Sequence, residues 1–304
     1  MTTELTAIDD GMNYIAALQN GEDAELAEFR AEANPFQIMP KLVLSKDTRE
    51  LRAVQNDETI ATFTKSKPLY FVPILISEHR ALWAPGDSED SQQPVCSTPR
   101  VPIGTFRRDA DRGVGTWNVA DNRDLPGPDG YEWESSEQQT QVRCAQCKWN
   151  KFKSMGDWDT TRDGSKGKAC GEGRLIVGFM ATKIGSIADN VGLFSYDPTS
   201  TMVYMNVPAT SISAIHGIGN ASVARRVPAR YCVFALGNEP KKEGSMAWGV
   251  LTQEFSGFVD RPNVKDSDNK SADMREMVFV KDQTPDLNES SQSSDVIADE
   301  EVPF

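Results

Sequence analysis

Short apolar or alternating runs fill much of the chain from residue 41 to residue 260. Such runs are typical of β-strands, whose side chains point alternately to opposite faces. Pro68 and Pro73 indicate an edge or bulged strand, because proline cannot donate a ladder hydrogen bond. The runs cover residues 42–44, 59–64, 68–77, 174–185, 201–208, 229–240 and 247–259. The last two flank a short polar segment, so we expect a strand pair there and a β-rich (α+β) body.

Helical patterning occurs in two stretches. Ile8, Met12 and Ile15 share one face of a predicted helix within residues 4–33, which Asn34 and Pro35 end. A second, shorter helix is predicted at residues 209–217.

A long polar segment rich in Gly, Pro, Asp, Ser and Gln separates the strand-like runs between residues 84 and 142. A connection of this length without regular structure is usually functional or separately tethered. We predict an acidic helical arm at 1–40, a core at 41–282 with an insertion at about 84–173, and a disordered tail at 283–304.

Charge is distributed unevenly along the 304-residue chain, whose net charge is −13. Residues 1–40 carry eight acids and one base, and residues 283–304 carry six acids and no base. The remaining residues are balanced, with 31 acids and 31 bases. The total argues against a typical basic nucleic-acid binder, whereas acidic ends on a neutral body indicate interaction tails.

The sequence also bears on compartment. It holds no run of 18 apolar residues, so no transmembrane helix is expected. The first residues lack the basic-then-apolar pattern of a signal peptide. With five cysteines in this length, we expect cytosolic thiols or a metal site rather than a disulfide scaffold.

Four of the cysteines have spacings that suit a structural zinc site. Cys144 and Cys147 form a CxxC pair, which brings two sulfurs to one point as tetrahedral Zn²⁺ requires. Cys170 follows after 22 intervening residues. Cys96, in the same polar segment, is the first choice for the fourth ligand.

Alternatives to this zinc site stay open. His79 is the second choice for the fourth ligand and His216 a distant third. The CxxC pair could instead be a redox motif or two unrelated thiols, but a βαβ pattern is absent and the segment is polar. Catalytic zinc is not expected, because four thiolates leave no open coordination position. Cys232 lies in an apolar run and is expected to be a buried thiol.

Basic and aromatic residues alternate between Cys147 and Cys170. Single-stranded nucleic acid needs cations along its backbone and rings that stack on its bases. The alternative is a solvated face with the aromatic side chains packed beneath it, and it stays open for each single residue. The candidate stacking residues are Trp149, Phe152 and Trp158. The candidate phosphate contacts are Lys148, Lys151, Lys153, Arg107 and Arg108.

The last eight residues read IADEEVPF, an acidic run followed by an aliphatic residue, proline and phenylalanine. Such a tip can place its ring in an apolar pocket and its carboxylate against a basic residue. The alternative is an ordinary acidic tail. The candidate partner-binding residues are Asp299, Glu300, Glu301, Val302, Pro303 and Phe304.

This tip resembles that of bacterial single-stranded DNA-binding proteins, which end in several Asp residues followed by Ile-Pro-Phe. The body is not similar to the bacterial protein. It resembles the larger single-stranded DNA-binding proteins of tailed bacteriophages, some of which combine an OB-fold with a zinc-holding insertion and an acidic tail.

The resemblance implies an OB-fold, a five-stranded Greek-key barrel, with which the strand-like runs are compatible. It also implies a non-enzymatic protein that coats and protects single-stranded DNA, whatever its sequence, in phage DNA replication, recombination or repair. The tip would recruit replication or recombination proteins, in the cytoplasm of the bacterial host and away from membranes. Self-association and the role of the acidic arm stay open.

The main alternative is a zinc-containing transcription or recombination accessory factor that docks on a host enzyme without coating DNA. An enzyme is not expected, because two histidines provide few general bases and HGIGNAS at 216–222 lacks the P-loop lysine. A virion structural protein would need neither zinc nor the tip.

Overall fold

The computed structural model places thirteen strands and four α-helices in the described part of the chain. That part comprises residues 36, 39–85, 94–108, 113–120, 122, 124–128, 138–162, 164, 167–188, 190–243 and 246–279. The strands are β1 (Lys41–Leu44), β2 (Leu51–Gln55), β3 (Glu58–Phe63), β4 (Leu69–Leu82), β5 (Cys96–Ser97), β6 (Val101–Pro102), β7 (Val114–Asn118), β8 (Gln139–Arg143), β9 (Gly171–Ala188), β10 (Val191–Ser195), β11 (Val203–Val207), β12 (Cys232–Glu243) and β13 (Met246–Val259). The helices are α1 (Thr105–Arg108), α2 (Ser154–Trp158), α3 (Ile212–Arg225) and α4 (Arg261–Val278). The predicted tail and nearly all of the predicted acidic arm lie outside the described residues.

The protein is strand-rich, and its strands form a mixed sheet. Neighbours follow the order β3-β2-β1-β11-β9-β10-β13-β12-β4-β5-β7-β8, and β6 pairs with β4. The β1–β11 and β10–β13 pairs are parallel. The other pairs among the named strands are antiparallel.

Five of these strands form a continuous ring of pairings. β4 pairs with β12 on one side and, over most of its length, with β9 on the other. β9 continues to β10, β10 to β13, and β13 back to β12. We call β4, β9, β10, β13 and β12 the five-strand ring.

β4 is buried on both faces, because the ring has an apolar cluster on each side. Phe71 packs into one cluster with Phe234 and with Ile215 of α3. Val72, the next residue, points the other way and packs into a cluster with Phe179. The sequence predicts an edge or bulged strand here, and the ladder to β9 shifts register between Pro73 and Leu75, so the strand is bulged.

The helix predicted at 209–217 is confirmed, although it is longer: it begins as a short 3-10 turn (Ala209–Ser211) and continues as α3 to Arg225. Helix α4 was not predicted, since its buried face is largely polar: Asn263, Ser267 and Ser271 precede Met274. Its first turn is capped by the Asp260 carboxylate, which accepts from the backbone N–H of Asn263 at 3.2 Å. Residues 83–170 leave the ring after β4 and return at β9, and we call them the insertion.

Candidate metal centre and nucleic-acid surface

The insertion brings Cys96 and Cys170 together at the end of β4. Cys96 lies in β5 and is paired in register with Leu82, the last residue of β4. Cys170 directly precedes β9, whose first residue, Gly171, pairs with Ala81. Two cysteines that are 74 positions apart in sequence thus flank the same strand end.

The CxxC pair lies on a separate turn, close enough for Cys144 and Cys147 to act electrostatically on Cys96. It follows β8 on a tight turn in which the backbone N–H groups of Gln146 and Cys147 both donate to the carbonyl of Arg143 at 3.1 Å. The backbone N–H of Cys170 donates to the carbonyl of Trp149 at 2.8 Å, which ties the returning chain to this turn.

All four thiols are buried and act on one another electrostatically. Burial, and then the neighbouring thiols of Cys144, Cys170 and Cys147, raise the pKa of Cys96 far above its ordinary value. Burial also raises the pKa of Cys170 to about 12. Burial of this kind favours the neutral thiol, whereas a cation bound among the sulfurs would favour the thiolate.

Positive side chains lie beside the thiols. Burial raises the pKa of Cys144, and the charge of Arg80 and a hydrogen bond from its side chain offset part of this rise. Arg80 and Lys168 act in the same direction on Cys170. These two cations suit a metal centre of four thiolates, whose net charge with Zn²⁺ is negative.

Two features beside the thiols bear on the predicted zinc centre. A Cβ on Gly115 would lie 2.7 Å from the sulfur of Cys96, so only glycine leaves that sulfur room. The indole N–H of Trp149 is buried without a hydrogen-bond partner among the described residues, and a thiolate would accept from it. Within the described residues, however, no group of three or more His, Cys, Asp or Glu side chains is arranged to hold a metal as it stands. The zinc site stays a prediction.

The two histidines lie in other surroundings. Nδ1 of His79 is 3.0 Å from Nη1 of Arg100, so its lone pair is already occupied. His216 is exposed on α3. Cys232 is the first residue of β12 and is 0 % exposed, which confirms the prediction of a buried thiol.

Trp149 and Trp158 do not face solvent. Their ring centroids are 4.8 Å apart, and Trp117 lies edge-on to Trp158 at 6.2 Å. The indole N–H of Trp158 donates to the carbonyl of Trp83 at 2.8 Å. Both predicted stacking residues are therefore buried in the same apolar cluster as Cys96, Cys147 and Cys170, and neither ring offers a face to a base. The alternation of basic and aromatic residues could not reveal this, because it does not show which rings point inward.

Phe152 is placed differently, with 77 % of its surface exposed. Lys168 lies 5.1 Å from the centre of its ring. Lys151 and Lys153 on either side are also exposed. The next residue, Ser154, fixes the loop: its hydroxyl donates to the Trp149 carbonyl at 2.9 Å and accepts from the Ala169 N–H at 3.0 Å. We call Phe152 and these lysines the Phe152 platform.

The predicted phosphate contacts also include Lys148, Arg107 and Arg108. Nζ of Lys148 lies 4.5 Å from the centre of the Trp149 ring. Arg107 and Arg108 are the last two residues of α1, and their side chains lie outside the described residues, as do residues 299–304 of the tip. Helix α1 is attached to β4, because the backbone N–H of Phe106 donates to the Glu78 carboxylate at 2.9 Å.

Sequence reasoning missed two features of this region. Trp83, the first residue of the insertion, is 49 % exposed and is a second accessible ring. Arg80 lies 4.6 Å above the ring of Phe106 and also contacts the cysteine cluster. Its spacing from Cys144 gives no local signal, since 63 residues separate the two.

No protein-family model, curated protein or solved structure matches this chain. Among the described residues, none of the helices is both long and apolar enough to cross a membrane.

Proposed function

We propose that this protein binds single-stranded DNA through an OB-fold whose first loop carries a zinc-stabilised insertion. Numbered along the chain, the ring strands are 1 (β4), 2 (β9), 3 (β10), 4 (β12) and 5 (β13). They pair 1-2, 2-3, 3-5, 5-4 and 4-1, and the 3-5 pair is parallel. This order supports a five-stranded Greek-key barrel of the OB type.

The position of the insertion is the observation that carries the proposal. OB-folds bind oligonucleotides with the loop between strands 1 and 2, among other surfaces. That loop corresponds here to residues 83–170, which hold the cysteine cluster, the Phe152 platform and Trp83. An exposed ring among lysines on a supported loop offers stacking and phosphate contacts that depend on no particular base sequence.

In this proposal, Cys96, Cys144, Cys147 and Cys170 hold a structural Zn²⁺ that orders the loop. The protein coats single strands during phage DNA replication, recombination or repair in the host cytoplasm. The acidic tip at 299–304 recruits replication or recombination proteins.

Fluorescence anisotropy of a labelled oligo(dT) tests this function, at about 50 mM and about 200 mM salt. We expect binding that salt weakens, since Lys and Arg contacts release counterions from the phosphates. Replacing the exposed ring (Phe152→Ala) should weaken binding about tenfold, because one stacked base contributes about 1–3 kcal/mol.

The matched control is Val223→Ala, which removes an equally exposed apolar side chain, 78 % accessible, from α3. It should bind like the unaltered protein. Failure of the unaltered, zinc-loaded protein to bind oligo(dT) at low salt would rule out the proposed function.

A further inference from the structure

A second candidate site lies at the end of the five-strand ring far from the insertion. It is a hollow of about 780 Å³, and all five ring strands contribute to its lining. Tyr70, at the start of β4, lines it, whereas the insertion begins after Leu82 at the other end of that strand. At about 3.3 Å per residue, these two positions are roughly 40 Å apart along β4.

The hollow exists because small residues surround one aromatic side chain. Tyr70 is paired in register with Ala181 on β9 and with Ala235 on β12. Both neighbours on its face are small, so neither covers the aromatic ring of Tyr70. Gly192 and Gly237 contribute two further positions without side chains. A Cβ on Gly192 would overlap the ring of Phe194.

Phe194 forms the closed side of this space. It is 1 % exposed, and its ring centroid lies 4.7 Å from that of Tyr70. The Tyr70 ring is thus held against a buried partner on one side. Small neighbours leave space for a planar group beside it.

The rim of the hollow carries more positive than negative charge. Three cations line it, Arg49, Lys65 and Lys183, and all three are exposed. The two acids of the lining are Glu239 and Glu254. Glu239 already binds Lys241, with 2.8 Å between Oε1 and Nζ. The hydrogen bond from Lys241 lowers the pKa of Glu239, and the charge of the rim residue Arg49 also lowers it, to a smaller extent. With three cations and two carboxylates, the lining keeps an excess of one positive charge.

We propose that this hollow binds one nucleotide unit of the same single strand that the Phe152 platform contacts. The base lies against Tyr70 and the phosphates lie among Lys183, Lys65 and Arg49. The volume is within the range of small-ligand sites, about 300–1,000 Å³. This inference rests on the proposed function. It implies that the single-stranded DNA runs from the insertion along the five-strand ring to the opposite end of that ring.

Two substitutions test the hollow without touching the insertion. Ala235→Leu fills the space beside Tyr70, and Lys183→Gln removes one rim charge. With oligo(dT) of about 16 nucleotides, the upper site size of an OB-fold, Ala235→Leu should weaken binding about tenfold. Lys183→Gln should flatten the slope of log K against log salt by about 0.7, the value for one phosphate contact on a single strand.

The controls separate the two sites and the two proposals. Lys242→Gln removes an exposed lysine of β12 that does not line the hollow, and it should leave the salt slope unchanged. Thermal unfolding checks that Ala235→Leu folds, and Lys183→Gln provides an independent readout at an exposed position. The hollow proposal is overturned if both hollow variants bind normally with an unchanged salt slope while Phe152→Ala binds weakly. That result would leave the proposed function intact. If the unaltered protein does not bind, both proposals fail.

Discussion

His79 is held uncharged by the residues around it. The guanidinium of Arg100 can only donate, so Nδ1 of His79 accepts and the ring proton lies on Nε2. Burial, followed by the positive charges of Arg100 and Arg174, lowers the pKa of His79 to about 4 from 6.5. The nearby carboxylate of Glu78 does not offset this, because it is bound to Arg174 at 3.3 Å.

This histidine should make the folded state sensitive to acid. Between pH 6.5 and pH 4 the unfolded chain binds a proton at His79 that the folded chain excludes. The contribution of His79 to the free energy of unfolding is therefore fully present above pH 6.5. It is lost as the pH falls toward 4, by roughly 3 kcal/mol at most. In His79→Gln, urea unfolding should show a smaller loss of stability over this window.

The matched control for the histidine is His216→Gln, since His216 is exposed on α3. It should follow the pH profile of the unaltered protein. Equal acid sensitivity of His79→Gln and the unaltered protein would show that His79 does not titrate as its contacts indicate.

At the scale of elements, the insertion should depend on zinc while the five-strand ring does not. Its apolar cluster is built around cysteines and Trp117, Trp149 and Trp158, so removal of the metal should loosen their packing. After chelation, we expect Cys96, Cys144, Cys147 and Cys170 to react with a thiol reagent in the native protein. The near-ultraviolet dichroism of the tryptophans should fall at the same time.

Cys232 is the internal control for this experiment. It lies in the main core and burial raises its pKa to about 11, so it should stay unreactive until the whole protein unfolds. Zinc-loaded protein should contain one metal per chain and show no reactive thiols. If chelation changes neither the thiol count nor the dichroism, the cysteine cluster is not a zinc centre.

Local patterns predicted elements whose burial follows hydrophobicity. β4 and β9 read as apolar runs because both of their faces are covered in the middle of the ring. Helix α4 was not predicted, because hydrogen bonds hold its buried side. Asn263 accepts from Ser195 Oγ at 2.9 Å and donates to the carbonyl of Tyr196 at 2.9 Å, which attaches the helix to the end of β10. Such long-range pairs leave no periodic signal in a sequence.

The candidate sites also include one part that a local sequence pattern indicates and one part that no local pattern indicates. The CxxC spacing is local, and it points to the segment that contains the buried thiols of Cys96, Cys144, Cys147 and Cys170. The hollow combines residues from five strands between Arg49 and Ser256. Only the pairing of those strands brings Tyr70 beside Ala181 and Ala235, so no local pattern could have located it.

At the scale of the whole molecule, charge separates the ends from the body. The chain has a net charge of −13, and residues 1–40 and 283–304 supply all of the excess acid. The candidate DNA surfaces lie on the balanced body. An acidic tail can compete with DNA for basic side chains, because both are polyanions.

Deletion of residues 296–304 tests this competition. The truncated protein should keep its unfolding transition, and its affinity for oligo(dT) at low salt should equal or exceed that of the full chain. The gain should shrink as salt rises, since screening weakens the tail and the DNA contacts together. A shorter deletion that removes only Val302, Pro303 and Phe304 keeps the acids. It should bind DNA like the full chain while losing any partner that recognises the tip. Loss of DNA binding in the longer deletion would show that the tail contributes to the DNA site. An equal gain in DNA affinity in both deletions would show that the acidic charge of the tail does not compete with DNA.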